Sequence, residues 1–230
     1  VMANIMTPSI SQMKFIQTLK KEIGQGRKIT NNFSEFCCLN SGSESVSIAA
    51  RLADVNAKEL TSKGALHEGK TIGRLTLSGS FHGRTDRPAQ FSHSTQKSYK
   101  NHLKSFENIS LFTVAPNNIE ELNEVFIKAK KENIFIEAFF MEPVMGEGNP
   151  GQAITPEFYK RARELTQKNG TLLLIDSIQA GLRAHGVLSI IDYPGFEGLD
   201  CPDMETYSKA FNAGQYPLAV LALTGKVAER

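Results

Sequence analysis

Two groups in this sequence have the type and setting for chemistry: Asp176, which closes the run Leu172-Leu-Leu-Ile-Asp176 ahead of Ser177-Ile-Gln179, and Lys209 in Tyr207-Ser-Lys209-Ala. Four consecutive apolar residues that end in a carboxylate have the pattern of a buried parallel strand. The last residue of such a strand reaches the carboxyl edge of the sheet, where open α/β folds bind ligands. A bare carboxylate there needs a cationic or proton-bearing partner, because an unpaired charge facing a low-dielectric pocket is costly or becomes protonated. A protonated pyridine nitrogen would serve. Lysine is usually a solvated surface residue, but Lys209 stands just ahead of the turn Gly214-Gln-Tyr-Pro217 and has apolar neighbours.

The elements that must position these groups are patterned on both sides of them. Residues 8–24 read as an amphipathic helix with Phe15, Ile16 and Leu19 inward and Gly24 and Gly26 as stops. Phe33 to Leu39 is a short apolar run that feeds the turn Asn40-Ser41-Gly42. Ser41 and Glu44 have capping-box spacing, and Val46, Ala49, Ala50 and Ala53 then repeat at helical period, so a helix begins near Ser43 and frays towards Gly64. Residues 61–73 read as a loop and Arg74 to Leu77 as a strand, while 86–108 is polar, rich in Ser, His and Lys, and says little. Ile109 to Val114 and Ile134 to Met141 read as strands, separated by a helix that Asn118 caps. Thr155-Pro156 opens another helix, which Gly170 closes. Residues 184–201 read as a loop, and Leu218 to Leu223 as a last strand. The strand-helix alternation from 109 to 176 predicts an α/β fold, with a mainly parallel sheet sandwiched by helices and joined by right-handed crossovers.

Several residues admit two readings when taken singly. Ser41-Gly42-Ser43 is a capped helix start, and equally a phosphate cradle, because the free N–H groups and positive dipole end of a helix N-terminus attract anions. Phe81 is a core aromatic or a flat apolar cover for a flat ligand. His82 is a satisfied loop histidine. Glu142, beside Pro143 at a strand end, is a solvated or capping carboxylate or a site residue.

Read together, five motifs occur in order: Asn40-Ser-Gly-Ser-Glu-Ser-Val46, Gly79-Ser-Phe-His-Gly-Arg-Thr85, Met141-Glu-Pro-Val-Met-Gly-Glu-Gly148, Leu174-Ile-Asp-Ser-Ile-Gln-Ala-Gly181 and Ser208-Lys-Ala210. In this order and at these separations the chain resembles the class III, ornithine/4-aminobutyrate-type, pyridoxal-phosphate aminotransferases. The resemblance implies the large domain of a fold type I transferase and transamination through a Schiff base on Lys209. It places Gly42 and Ser43 on the cofactor phosphate, Phe81 on the ring face with His82 behind it, Asp176 on the ring nitrogen and Gln179 on the phenolic oxygen. Glu142 falls on the substrate side, paired with a basic group from elsewhere in the protein. The Lys209 role requires a neutral amine, so burial of Lys209 is expected.

Ser177, Ala180 and Asn149 depart from the family pattern, which usually has glutamate, a bulkier residue or threonine, and glycine at those places. The resemblance further implies an amino donor and a keto acid as substrates, an ω-amine or basic amino acid such as ornithine or an acylated relative among them, and a homodimer with a shared site. Residues 1–230 are then an incomplete cofactor-binding large domain, with an N-terminal segment and a C-terminal small domain missing. The competing readings are another reaction of the same cofactor (decarboxylase, lyase, racemase or aminomutase), a nicotinamide-binding domain, and a catalytically incompetent binding or dimerisation module. No Gly-x-Gly-x-x-Gly directly follows a strand, which disfavours the second.

Composition bounds the rest. Forty per cent hydrophobic and 22% charged residues are ordinary for a globular protein. A net charge of +2 from scattered basic residues points to no nucleic-acid partner. No apolar run approaches a membrane span, and no secretory signal is evident. Three cysteines, two of them adjacent, point to reduced thiols and a cytoplasmic setting. No histidine has metal-ligand spacing.

Overall fold

The computed structural model describes residues 9–24 and 33–230. The predicted stop at Gly26 and the first residue of the predicted 8–24 helix lie outside them. In chain order the elements are α1 (Ile10–Leu19), β1 (Phe33–Leu39), α2 (Gly42–Thr61), β2 (Thr71–Leu77), α3 (Asp86–Phe91), α4 (His93–His102) and β3 (Leu111–Val114). They continue with α5 (Ile119–Lys131), β4 (Ile134–Met141), α6 (Pro156–Asn169), β5 (Leu172–Asp176), β6 (Met204–Tyr207), β7 (Ala219–Thr224) and α7 (Gly225–Ala228).

The strands form one sheet in the order β1-β7-β6-β5-β4-β2-β3. The pairs β2–β3, β2–β4, β4–β5 and β5–β6 are parallel, whereas β7 runs antiparallel to both β6 and β1. Successive residues of the central strands feed two cores, as period-two side chains must. Leu173 and Ile175 of β5 face a core shared with α5 and α6. Leu172 and Leu174 face a second core built on Val46, Ala49, Ala50 and Ala53 of α2. Helices therefore cover both faces, and β5 is buried along its whole length.

Four differences from the sequence patterning have local causes. β2 begins at Thr71, not Arg74, because Thr71 to Gly73 pair with Ile134 to Ile136 of β4. β3 begins at Leu111, not Ile109. The uninformative stretch 86–108 contains α3 and α4, and α4 buries only Gln96. β6 lies where no strand is expected, because it pairs with β5 on one side and β7 on the other. In α1, Leu19 is buried as expected, whereas Ile10 and Met13 are exposed.

Candidate active site

The carboxyl ends of β2, β4, β5 and β6 meet at one edge of the sheet. β1 ends on the same edge, being antiparallel to β7, which is antiparallel to β6. The loops leaving these strands enclose a cavity of about 160 Å³, lined by all the sequence-predicted site residues: Gly42, Ser43, Phe81, His82, Glu142, Asp176, Gln179 and Lys209.

Asp176, the last residue of β5, is 4% exposed. Its Oδ2 lies 2.8 Å from His82 Nδ1, and its Oδ1 accepts the Ile178 N–H at 3.2 Å. His82 is also buried, and its Nε2 stands 3.0 Å from the Thr76 hydroxyl on β2. A carboxylate on Nδ1 favours the proton there and fixes the ring's orientation. Thr76, Ser80 and His82 form a short relay of polar contacts behind Asp176. Thr76 was not foreseen, because nothing in an alternating strand marks one threonine as a histidine's partner.

The N-terminus of α2 opens on the same cavity. Ser41 accepts the Glu44 N–H, and Glu44 accepts the Ser41 and Asn40 N–H groups, which completes the predicted capping box. The N–H groups of Gly42 and Ser43, first in the helix, have no carbonyl partner within it. A Cβ at Gly42 would stand 2.6 Å from Ile178 Cδ1, so any larger residue there requires the Ile178 side chain to shift.

Phe81 is half-buried at the cavity wall, with the Arg84 guanidinium 5.9 Å from its ring centroid. Arg84 in turn lies 3.7 Å from Glu147. Glu142 accepts the Phe81 N–H at 3.0 Å and the Gly146 N–H at 3.1 Å. It is only 2% exposed, and burial, with the nearby Asp176 charge, pushes its pKa up to about 7 against the pull of His82 and the two N–H donors. The structure thus gives Glu142 backbone partners on both oxygens, and the solvent-reaching carboxylate of this loop is Glu147. Gln179 packs against Gly146, where a Cβ would fall 2.3 Å from its amide carbon.

Lys209 departs from expectation. Lys209 is exposed, in the turn that follows the end of β6, where residues 213–217 are exposed as well. Its backbone has φ of +50°, a left-handed conformation that costs a non-glycine residue free energy and recurs at functional sites. The preceding Ser208 hydroxyl donates to the Leu218 carbonyl at 3.0 Å and steadies the turn.

The donor set fits pyridoxal phosphate: free N–H groups for an anion, an aromatic wall, a buried carboxylate for a protonated ring nitrogen, an amide for the ring oxygen and a primary amine. Among the described residues, no group of three His, Cys, Asp or Glu side chains could hold a metal ion, and no helix is long and apolar enough to cross a membrane.

Comparisons with known proteins give the family and the fold. Over its full length the chain is 29% identical to a LysW-aminoadipate semialdehyde/glutamate semialdehyde transaminase of Sulfurisphaera tokodaii, covering 52% of that protein. Over 188 residues, 79% of the chain, it is 30% identical to an acetylornithine aminotransferase of Prochlorococcus marinus, covering 40% of that protein. The chain thus spans about half the length of the curated relatives it matches. Its fold matches the ornithine aminotransferase of Toxoplasma gondii with a TM-score of 0.76 at 22% identity, over 100% of this chain and 48% of that one. The family model for aminotransferase class III matches residues 2–230, and the chain therefore belongs to the class III aminotransferases, a pyridoxal-phosphate-dependent family.

Proposed function

We propose that this chain is the cofactor-binding large domain of a pyridoxal-phosphate-dependent aminotransferase, which moves an amino group from an amino acid or ω-amine to a keto acid. The observation that carries the reading is the convergence of the Asp176–His82 pair, the α2 N-terminus and the strained Lys209 on one cavity. When bound, the cofactor supplies the electron sink for the carbanion formed at the substrate's amine-bearing carbon.

Gly42 and Ser43 would hold the phosphate by their N–H groups, and Phe81 would cover one ring face. Asp176 would keep a proton on the ring nitrogen, with His82 holding the Asp176 carboxylate in line. Gln179 would donate its amide N–H to the ring oxygen. Lys209 Nζ would anchor the cofactor and move a proton at the substrate's amine-bearing carbon.

The names of the relatives support substrates that carry, far from a carboxylate, either an amine, as acetylornithine does, or the aldehyde that replaces it, as the semialdehydes do. The exposure of Lys209 supports a site closed by further chain or by a second subunit, hence a homodimer. Three cysteines without a disulfide support a cytoplasmic setting.

The test is to add pyridoxal phosphate to this chain and to the full-length protein, reduce with borohydride, and map the modified lysine by peptide mass spectrometry. Modification concentrated on Lys209, with transfer of a labelled amino group to a keto acid by the full-length protein, is the expected result. Full-length protein that is unlabelled at Lys209 and transfers no amino group would overturn the reading.

A further inference from the structure

Glu205 stands out because nothing in the chemistry above uses it, yet it is fully buried on β6. Among the described residues no cation pairs with it. Its Oε1 accepts the Ser177 hydroxyl at 2.6 Å and the Ile190 N–H at 3.0 Å, and its Oε2 accepts the Ser189 hydroxyl at 2.5 Å. Ser177 and Ser189 are themselves almost wholly buried, at 1% and 0% exposure. Burial raises the Glu205 pKa, and these donors, together with the Tyr207 hydroxyl of the same strand, oppose the rise.

The three donors sit at the two ends of one excursion of the chain. Ser177 leaves β5 directly after Asp176, and Ser189-Ile190 opens the turn that brings the chain back. Between them lies Gln179, and the loop also holds Leu182 at φ of +66°. Internal bonds close the loop, with Gly181 N–H to the Ser177 carbonyl at 2.8 Å and Leu182 N–H to the Val187 carbonyl at 2.8 Å. Backbone pairing holds Ser177 N–H to the Thr206 carbonyl at 3.0 Å but leaves its side chain free to turn. The carboxylate of Glu205 removes that freedom. Ser177, one of the departures from the family pattern, suits this arrangement, since a glutamate at 177 would bring a second carboxylate beside Glu205, with which no cation pairs among the described residues.

We propose that Glu205 is a positioning residue, which staples both ends of the 177–190 loop and so fixes Asp176 and Gln179 at the spacing that one cofactor ring requires. The proposal rests on the function above, in which Asp176 meets the ring nitrogen. Glu205 acts through Ser177 and touches no reacting atom.

The test uses the full-length protein and compares its affinity for pyridoxal phosphate with that for 1-deazapyridoxal phosphate, which has CH in place of the ring nitrogen. Wild type should favour the natural cofactor by about tenfold or more, the worth of one charge-assisted hydrogen bond. Glu205→Gln should pull this ratio towards one, and Ser177→Ala, a milder change, should lower it partway. Asn56→Ala, which removes a buried hydrogen bond to the Gly170 carbonyl away from the site, should lose thermal stability and keep the wild-type ratio. Wild-type ratios in both Glu205→Gln and Ser177→Ala would overturn the proposal. A wild type without preference between the two cofactors would overturn the ring-nitrogen contact itself, and the proposal with it. If Glu205→Gln does not fold, the ratio in Ser177→Ala decides.

Discussion

Glu142 carries the clearest consequence of burial in the site. The unfolded chain loses this proton near pH 4.5, whereas the folded chain keeps it to about pH 7. Between these values the folded state binds more protons, so stability falls as pH rises through the window, by at most about 3 kcal/mol. Urea unfolding across pH 4.5 to 8 should show this fall in wild type and lose it in Glu142→Gln; parallel curves would mean that Glu142 ionises normally. Gly146→Ala tests a neighbour. Its Cβ meets only the movable end of Gln179, so thermal stability should hold while affinity for pyridoxal phosphate drops about fivefold, the value of one ordinary hydrogen bond. Unchanged affinity would remove Gln179 from the site. The place of Asp176 was legible because an apolar run ends on it, whereas Gln179 and Lys209 were singled out by the resemblance to the family. Glu205 was not, since a single glutamate in Met-Glu-Thr-Tyr reads as a solvent-facing residue and its partners lie at Ser177, Ser189 and Ile190, remote in sequence.

The helix α2 joins local signals to the site most directly. Its cap satisfies N–H groups on one side of the start and leaves those of Gly42 and Ser43 free on the other. Ser41→Ala should cost about 1 kcal/mol in unfolding free energy. Glu44→Ala should cost less when Ser41 is already replaced, because the two bonds form one motif. Additive losses in the double variant would show that the two bonds act separately. The elements that local signals announced, α2, α5, α6 and β5, have strong caps or an unbroken apolar run. Those that patterning missed are decided by their surroundings. α4 is a polar surface helix with one buried residue, and β6 becomes a strand because β5 and β7 flank it and offer their backbone groups.

Across the molecule, Asp203 ties three elements in two layers together. It accepts two bonds from Arg163 of α6, at 2.7 and 3.0 Å, and the Leu173 N–H of β5 at 2.8 Å, while its carbonyl accepts the Thr224 N–H at the end of β7. Removing one member of such a buried pair leaves a charge uncompensated, so Asp203→Ala should cost about 3–5 kcal/mol by urea unfolding. A loss under about 1 kcal/mol would show that water reaches Arg163. The fold class was readable because strand and helix alternate through the centre of the chain, but the strand order was not, since β1 and β7 meet from opposite ends of the sequence. That pairing has a consequence for biosynthesis. Among the described strands β1 pairs with β7 alone, so a nascent chain carries Phe33–Leu39 out of the ribosome long before its partner strand exists. Until then its backbone edge and the thiols of Cys37 and Cys38 stay open to other chains. The growing polypeptide can complete the pairings among β2 to β6 first, with α2 already packed on them, so β1 is the last strand to find its place.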